Sequence, residues 1–151
     1  MVSSTGLNHL ISFYKKVQVH FGQNNTTPIS NLQLNKILYF VQRFFLQNTS
    51  NPEGLFDDDF QAWQLGPVLP EVYYKYCGFG GMYILLKPQK VITLPINIRL
   101  AVDEIVDKNS GRNPWDLVNE THDPKGAWAY VYKNGIGIHN IIEKSLIRTL
   151  G

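Results

Sequence analysis

The fold is set by one stretch, residues 30–46, which reads SNLQLNKILYFVQRFFL. Ser30 is followed three residues later by Gln33, the pattern of a capping box, so a helix is expected to begin near Asn31. The apolar residues then recur at steps of three and four: Leu34, Ile37, Leu38, Val41, Phe44 and Phe45. Other apolar residues lie off this stripe, so the polar positions narrow to a strip: Asn35, Lys36, Gln42 and Arg43. Such a helix is expected at the centre of the domain.

Helical patterns also lie on both sides of this segment. Apolar residues at helical spacing predict a first helix over residues 7–21. Pro67 or Pro70 fits the first turn of a helix at no cost in hydrogen bonds, so a third helix is predicted over residues 68–76. Its inward-facing residues are expected to be Val72, Tyr73 and Tyr76.

Three more helices are predicted in the second half of the chain. The fourth covers about residues 95–108, and the fifth covers residues 114–121 with Asn113 as its cap. The fifth helix is expected to place Trp115 and Val118 on one face. A capping-type pair, Asn140 and Glu143, predicts the start of a terminal helix.

Short strands and turns complete the pattern. Residues 48–59 are predicted as a loop with an apolar plug at Leu55-Phe56, and residues 60–63 as a strand that Gly66-Pro67 breaks. A strand is predicted over residues 82–86, and a hairpin turning at Asn134-Gly135 over residues 129–138. The sum is a mainly helical α+β fold of about six helices with a few short strands. A single domain is expected over residues 1–151, with its core at about 7–150.

Composition narrows the classes of function. The 151 residues carry 14 Lys and Arg against 12 Asp and Glu, a formal charge of +2, which is no basic footprint for nucleic acid. A nucleic-acid-binding regulator is therefore the least favoured alternative. The apolar runs fall short of the roughly 18 residues of a membrane span, so no membrane partner is expected and the protein is placed in the cytoplasm. A chain of this length can bury a core without a cofactor, and no cofactor is expected.

The residues that could carry catalysis form weak patterns. His122 lies near Asp116, Glu120 and Asp123, and a histidine beside carboxylates can act as an oriented base or share a metal. His122 also falls where a helix is predicted to end, a place that suits histidine through the helix dipole and the unpaired carbonyls. The structural role is favoured, so no catalytic residue and no metal ligand is assigned. A small His-dependent enzyme centred on His122 remains the alternative function.

Three further features are expected to be structural. Cys77 is the one cysteine, which excludes an intramolecular disulfide and a Cys-rich metal site, and its apolar surroundings predict a buried, inert thiol. Residues 78–81, GFGG, lack the Lys and Ser or Thr of a phosphate-binding loop and are expected to reverse the chain. The aspartates at 57–59 lack the spaced ligands of a calcium loop and are expected to form a solvated acidic turn.

A rigid segment follows the predicted strand, where residues 63–73 read WQLGPVLPEVY. Gly66 allows a backbone conformation that other residues resist, Pro67 fixes φ, and Trp63 suits a core position. Trp and Tyr are also residue types that often carry interface energy, so Trp63, Tyr73 and Tyr74 could dock a partner. The residues of this segment leave both interpretations, core and interface, open.

Three motifs occur in a characteristic order. They are Leu34-Asn35-Lys36-Ile37-Leu38-Tyr39-Phe40; then Ala62-Trp63 with Gly66-Pro67-Val68, Pro70 and Tyr73; then Leu117-Val118 with Thr121-His122 and Trp128. In this order and spacing they resemble the Panacea domain, also called the SocA-like antitoxin domain, a family that includes phage-associated GepA-like proteins. The resemblance runs from about Leu7 to the final helix. Many members carry Pro-Trp shortly after the histidine, where this chain has Gly126-Ala127-Trp128.

The resemblance implies a non-enzymatic, cytoplasmic antitoxin of a bacterial or prophage toxin–antitoxin system. Members of the family bind a neighbouring toxin directly, and one delivers it to a ClpXP-type protease, so a cognate toxin is the expected partner and such a protease a further one. The candidate partner-binding residues are Lys36, Tyr39, Arg43, Trp63, Gly66, Pro67, Val68 and Tyr73. Lys36 and Arg43 are expected to pair with acidic groups on the toxin. The remaining motif positions, expected to be structural, are Pro70, Thr121, His122 and Trp128.

Overall fold

The computed structural model describes residues 28–84 and 94–151. Within these ranges the helices are α1 (Asn31–Asn48), α2 (Pro70–Tyr76), α3 (Ile96–Ser110), α4 (Pro114–Thr121), α5 (Ala127–Tyr132) and α6 (Lys144–Leu150). The strands are β1 (Phe60–Trp63), β2 (Gly66–Val68) and β3 (Ile141–Ile142). The mainly helical α+β fold predicted from the sequence is confirmed. The helix predicted over residues 7–21 and the end of the strand predicted over 82–86 lie outside the described residues.

Helix α1 lies at the centre of the fold, as its sequence predicts. The capping box is present: the backbone N–H of Gln33 donates to Ser30 Oγ at 3.3 Å, and that of Ser30 donates to Gln33 Oε1 at 2.8 Å. The apolar stripe is buried at Leu34, Ile37, Leu38, Val41 and Phe45. Helices α2, α3, α4 and α6 and strand β2 all pack against α1. Since these elements surround it on most sides, even its off-stripe apolar residues contribute to the core.

The polar strip of α1 is also largely buried. Asn35, Lys36 and Gln42 have at most 1% of their surface exposed, whereas Arg43 remains partly exposed. Buried polar groups require hydrogen-bond partners, and these side chains find theirs in the backbone of the surrounding loops. The Gln42 amide donates to the carbonyl oxygens of Glu53 and Phe56 at 2.8 and 2.7 Å and accepts from the Leu55 N–H at 2.8 Å. Gln42 thereby holds the predicted apolar plug, Leu55-Phe56, in the core.

The strands form a small antiparallel sheet in the order β2-β1-β3. The strand predicted over residues 60–63 is confirmed as β1. The prediction that Gly66-Pro67 breaks the sheet is wrong, because the two residues begin β2, which pairs with β1 across a two-residue turn, Gln64-Leu65. Pro67 is tolerated because β2 is an edge strand, where one side of the backbone needs no sheet partner. Gly66, with φ of +106°, makes the turn possible.

Two predictions for the C-terminal region are wrong. Residues 129–138 do not form a hairpin, since they contain most of α5 and a following 3₁₀ turn. Lys133 and Asn134 both have positive φ, so the Asn134-Gly135 signal marks the end of a helix instead of a strand connection. The terminal helix begins at Lys144 and not near Asn140, because Ile142 is taken up by β3 and Glu143 makes no side-chain cap.

Three exposure predictions are also corrected. Trp115 is 58% exposed, although Val118 is buried as expected. The inner face of α4 is formed by Leu117, Val118 and Thr121, and position 115 lies about 200° around the helix from position 117. Cys77 is exposed because it follows α2 in a 3₁₀ turn, beyond the buried face formed by Val72 and Tyr76.

In the acidic turn at residues 57–59, Asp57 and Asp58 are half-buried and Asp59 is exposed, so the turn is only partly solvated. Lys144 Nζ lies 2.7 Å from Glu53 Oε2 and 3.4 Å from Asp59 Oδ1. Burial, followed by the charge of Asp57, raises the pKa of Asp58. The turn therefore connects the loop after α1 to the start of α6.

The Gln42 contacts give a direct test of how the loop is held. Replacing Gln42→Leu keeps the approximate size but leaves buried N–H and C=O groups unpaired, which is expected to lower the free energy of unfolding by about 3 kcal/mol. Gln47→Leu on the same helix is the matched control, since Gln47 is exposed and makes a hydrogen bond only to Gly151 O among the described residues. That control is expected to stay within about 0.5 kcal/mol of the parent in urea denaturation. Equal effects of the two substitutions would contradict this account.

Candidate functional site

Residues 63–73 form a bent segment that starts at the last residue of β1, contains β2 and ends in α2. We call this segment the elbow. Three hydrogen bonds fix its backbone to α1. Lys36 Nζ donates to Pro67 O at 2.9 Å, the Leu69 N–H donates to Asn35 Oδ1 at 3.0 Å, and Asn31 Nδ2 donates to Tyr73 O at 2.9 Å. Because the contacted backbone groups run from residue 67 to residue 73, these bonds hold the C-terminal part of the elbow against α1.

Gly66 lies at the tightest point of the elbow. A Cβ at this position would lie 2.5 Å from Thr121 Oγ1, 2.9 Å from Lys36 Cε and 3.2 Å from Lys36 Nζ. Such separations are shorter than van der Waals contact, so a side chain larger than hydrogen cannot fit without movement. The last residue of α4 therefore meets α1 and the elbow at one point.

Lys36 is fully buried beneath the elbow. Burial lowers the pKa of its amine from 10.5 to about 7, because a charged ammonium loses its hydration there. The Pro67 carbonyl is the hydrogen-bond acceptor that the described residues supply to it. Lys36 therefore acts as a largely neutral hydrogen-bond donor at mildly alkaline pH.

His122 and two aromatic residues form a stack behind the elbow. The His122 and Trp128 rings are parallel, with centroids 3.8 Å apart, and Tyr132 stacks on the other side of Trp128 at 4.5 Å. Trp128 Nε1 donates to Trp63 O at 2.8 Å, so the stack supports the first residue of the elbow. The Gly126-Ala127-Trp128 departure from the motif thus still delivers a buried tryptophan, with Gly126 at the N-cap of α5.

The ring of His122 is not arranged as an oriented base. Burial and then the charge of Lys36 lower its pKa, and its buried Nε2 has no hydrogen-bond partner among the described residues. None of the carboxylates predicted near it, at 116, 120 and 123, forms an ion pair or hydrogen bond with the ring in the part of the chain that the structure describes. Residues 28–84 and 94–151 also contain no group of three His, Cys, Asp or Glu residues suited to a metal ion.

The outer side of the elbow carries a cluster of rings. Trp63 contacts Tyr73 at 4.9 Å, Tyr74 at 6.1 Å and His139 at 4.9 Å between ring centroids. Tyr74 is 64% exposed and Leu65, at the tip of the β1–β2 turn, is 40% exposed. We call Trp63, Leu65, Tyr73, Tyr74 and His139 the elbow surface. It is an aromatic surface whose backbone is already fixed.

The comparisons with known proteins place the chain in a family. A family model described as "Antitoxin SocA-like, Panacea domain" matches residues 34–129. The chain belongs to this family. Antitoxin SocA of Caulobacter vibrioides (strain NA1000 / CB15N) is 32% identical over 121 residues, which are 73% of this chain and 63% of that protein. The chain thus matches less than two thirds of that relative's length, and no solved structure shows a significant match.

The structure places the candidate partner-binding residues of this family member in three locations. Trp63 and Tyr73 belong to the elbow surface. Five of the candidate residues are buried: Lys36, Gly66, Pro67 and Val68 beneath or within the elbow, and Tyr39 on α1 against Phe60. Arg43 is not at the elbow, since it follows Lys36 by two helical turns, about 10 Å along α1. Of the other motif residues, Pro70 occupies the first turn of α2, and Thr121 is buried against Gly66.

Arg43 lies in a charged cluster that sequence analysis missed. Its Nη2 lies 2.9 Å from Glu120 Oε1, and Arg112 Nη1 lies 2.6 Å from Glu120 Oε2. Partial burial raises the pKa of Glu120, but the hydrogen bonds from Arg112 and Arg43 outweigh it, so the net pKa is lowered. Arg43 and Glu120 are 77 residues apart and Arg112 and Glu120 are eight apart, so no i,i+3 or i,i+4 helical pattern identifies either pair. Leu65 was not detectable either, because the two-residue turn that exposes it depends on the pairing of β2 with β1, which the sequence patterns did not predict.

Gly66→Ala tests the close contact beneath the elbow. The variant combines an unfavourable φ with overlap on Thr121 and Lys36, and it is expected to lose about 2 kcal/mol or more of unfolding free energy. Gly80→Ala has a positive φ but open space around the new Cβ, so it measures backbone strain without overlap, about 1 kcal/mol. Gly78→Ala has neither and is expected to change little. Chemical denaturation should therefore rank the three losses in that order, and a Gly66→Ala loss no larger than that of Gly80→Ala would contradict the contact.

The buried Lys36 predicts a specific dependence of stability on pH. The unfolded chain keeps the lysine proton up to about pH 10.5 and the folded chain loses it above about pH 7. Between these values the unfolded state binds more protons, so the folded state gains stability as the pH rises. The gain is expected to reach about 2 kcal/mol between pH 7.5 and 9.5, below the range in which tyrosines ionise.

Lys36→Met should remove most of this rise in denaturation measured across the same pH range. Lys75→Met, which replaces an exposed lysine on α2, should retain it. A rise that persists in Lys36→Met would show that another group causes it.

Proposed function

We propose that the chain is an antitoxin that neutralises a cognate toxin by binding it directly through the elbow surface. The observation that carries this proposal is the cluster of Trp63, Tyr73 and Tyr74 on a backbone that α1 holds in place. Membership of the antitoxin family supports it, as does the curated relative that bears the name antitoxin. Family membership also suggests a non-enzymatic role.

The chemistry of the elbow surface suits a protein partner. Trp and Tyr offer large apolar area together with polar tips, and they lose little side-chain entropy when they are buried. Tyr74 and Leu65 are the exposed members that a partner would cover first. Since the backbone of the elbow is already fixed, binding would require little additional ordering, which favours affinity.

The buried motif residues have a different part in this proposal. Lys36, Gly66 and Pro67 determine the shape of the elbow and do not themselves contact the toxin. Tyr39 lies beneath the surface, with its ring 5.3 Å from that of Phe60. Substitutions at these positions would weaken toxin binding by changing the shape of the elbow, together with the stability of the fold.

The fate of the captured toxin is a further part of the proposal. In the simplest case the complex masks the toxin. In the other, the antitoxin passes the toxin to a ClpXP-type protease. We place this protein, and both of these outcomes, in the cytoplasm. Among the described residues, no helix has the length and apolar character needed to cross a membrane. The half-life of the toxin in cells with and without the protease distinguishes capture from delivery.

The elbow surface can be tested by charge substitution. The protein is co-expressed with the product of the neighbouring gene as the candidate toxin, and rescue of growth and co-purification are measured. Leu65→Glu and Tyr74→Glu place a charge on exposed residues, so they are expected to weaken association by about tenfold or more while leaving the thermal midpoint nearly unchanged.

Leu100→Glu is the matched control, because Leu100 is 60% exposed on α3, outside the elbow surface. It should bind and neutralise like the parent. Rescue without a measurable complex, or equal binding by all three variants, would contradict capture by the elbow surface.

His122→Phe separates the antitoxin from the His-dependent enzyme. Phenylalanine retains a ring that can stack on Trp128 but removes both nitrogens, so neutralisation by capture should persist. An enzyme that uses the imidazole would lose its function while keeping its fold. Loss of neutralisation in a folded, toxin-binding His122→Phe protein would therefore favour catalysis.

A further inference from the structure

A cavity of about 260 Å³ lies between the second half of α1, from Phe40 to Gln47, and the C-terminal end of α3. Arg43, Lys108 and Arg112 line it together with one carboxylate, Glu120. We call it the cation cavity. Its lining thus contains three positive charges against one negative charge, in a protein whose overall charge is only +2.

The cations of this cavity are only partly neutralised. Glu120 gives one oxygen to Arg43 and the other to Arg112, so each guanidinium uses a fraction of its five N–H donors on it. Lys108 is exposed and has no ion pair or hydrogen bond within residues 28–84 and 94–151. A second anionic group could therefore bind here without displacing Glu120.

Both arginines are held in position before any ligand binds. The Arg43 guanidinium lies 4.8 Å above the ring of Phe40, a cation–π arrangement. Arg112 Nη1 donates to Asn109 Oδ1 at 2.9 Å, and the buried Asn109 is itself fixed by its donation to Ile105 O at 2.7 Å. Guanidinium groups fixed in this way bind a carboxylate with little loss of side-chain entropy.

The walls of the cavity indicate the kind of ligand. Phe40, Phe44 and Ile105 supply an apolar side, which suits a ligand with a hydrocarbon stem and an anionic tip. An inorganic phosphate would leave that apolar side uncovered. The volume is below the range of about 300–1,000 Å³ typical of drug-sized ligands, so it suits a single side chain better than a metabolite.

We propose that the cation cavity binds a glutamate or aspartate side chain of an acidic segment of the protein partner. The identification of the partner as the toxin rests on the proposed function above. The preference for a carboxylate with an apolar stem rests only on the residues that line the cavity. The cavity is distinct from the elbow surface, because none of the elbow-surface residues lines it. The proposal gives Lys108 and Arg112, which lie outside the family motif, the role of binding the carboxylate.

The carboxylate preference is tested with glutarate as the probe. Glutarate, glutaramide and inorganic phosphate are titrated into the isotope-labelled protein, and NMR shifts of the Arg43 and Arg112 Nε–H groups are recorded. Glutarate is expected to give saturable shifts and glutaramide none, because the amide lacks the charge. Absence of saturation, or tighter binding of phosphate than of glutarate, would overturn the proposal.

Lys108→Gln supplies the matched variant, since Lys108 makes no contact that the described fold needs. It is expected to weaken glutarate binding about threefold to tenfold through loss of one charge, and to leave stability unchanged. Arg99→Gln on the same helix removes the same charge outside the cavity, at the cost of a half-exposed ion pair with Asp103, and should leave glutarate binding unchanged. Equal effects of the two would indicate general electrostatics and overturn a specific site.

The toxin complex provides a second readout. Lys108→Gln should weaken toxin binding and reduce its dependence on salt, whereas Arg99→Gln should do neither. If the parent forms no toxin complex, the proposed function fails, and the glutarate titration still decides whether the cavity binds carboxylates. If the parent binds the toxin and Lys108→Gln binds it equally well, the assignment of the cavity to the toxin is wrong.

Discussion

The structure depends on buried polar side chains of one helix that bind the backbone of the loops around it. Asn35 and Lys36 hold the elbow, and Gln42 holds the loop that carries Phe56. Loop backbone groups lose their water when they pack against a core, and each then needs a partner. Helix α1 supplies those partners at the positions where its sequence is polar. A purely apolar central helix would leave the same carbonyl and N–H groups unpaired, at about 1–3 kcal/mol each.

This arrangement explains why a lysine is acceptable in the centre of the protein. The amine of Lys36 reaches Pro67 O, and Gly66 leaves the space through which its chain passes. The Thr121 hydroxyl also lies next to Gly66 and donates to Val118 O. Thr121 is the last residue of α4, so this helix ends in contact with the elbow. The cost of burying the amine appears as its lowered pKa, and this cost is the source of the dependence of stability on pH. Burial of Lys36 therefore fixes the shape of the elbow but lowers the free energy of unfolding near neutral pH.

Sequence patterns predicted the parts of the fold that local physics determines. The capping box, the stripe from Leu34 to Phe45, and the Asn113-Pro114 helix start all depend on residues within a few positions of one another. The patterns did not predict β2, because its pairing with β1 depends on the Gly66 conformation and on support from α1. The patterns also grouped Arg43 with Lys36 in one polar strip of α1. Helical spacing alone does not show that Glu120 and Arg112 pack against Arg43 and not against Lys36.

The two proposed binding regions are joined by consecutive residues of α4. Thr121 faces Gly66 at the elbow, while Glu120 faces the two arginines of the cation cavity. Both regions also share α1, so their separation is fixed by packed helices and not by flexible loops. A partner that contacts both would meet an aromatic surface and a cationic cavity in a constant relative position. Such a pairing favours specificity, because a competitor must match the apolar contact and the charge at the same distance.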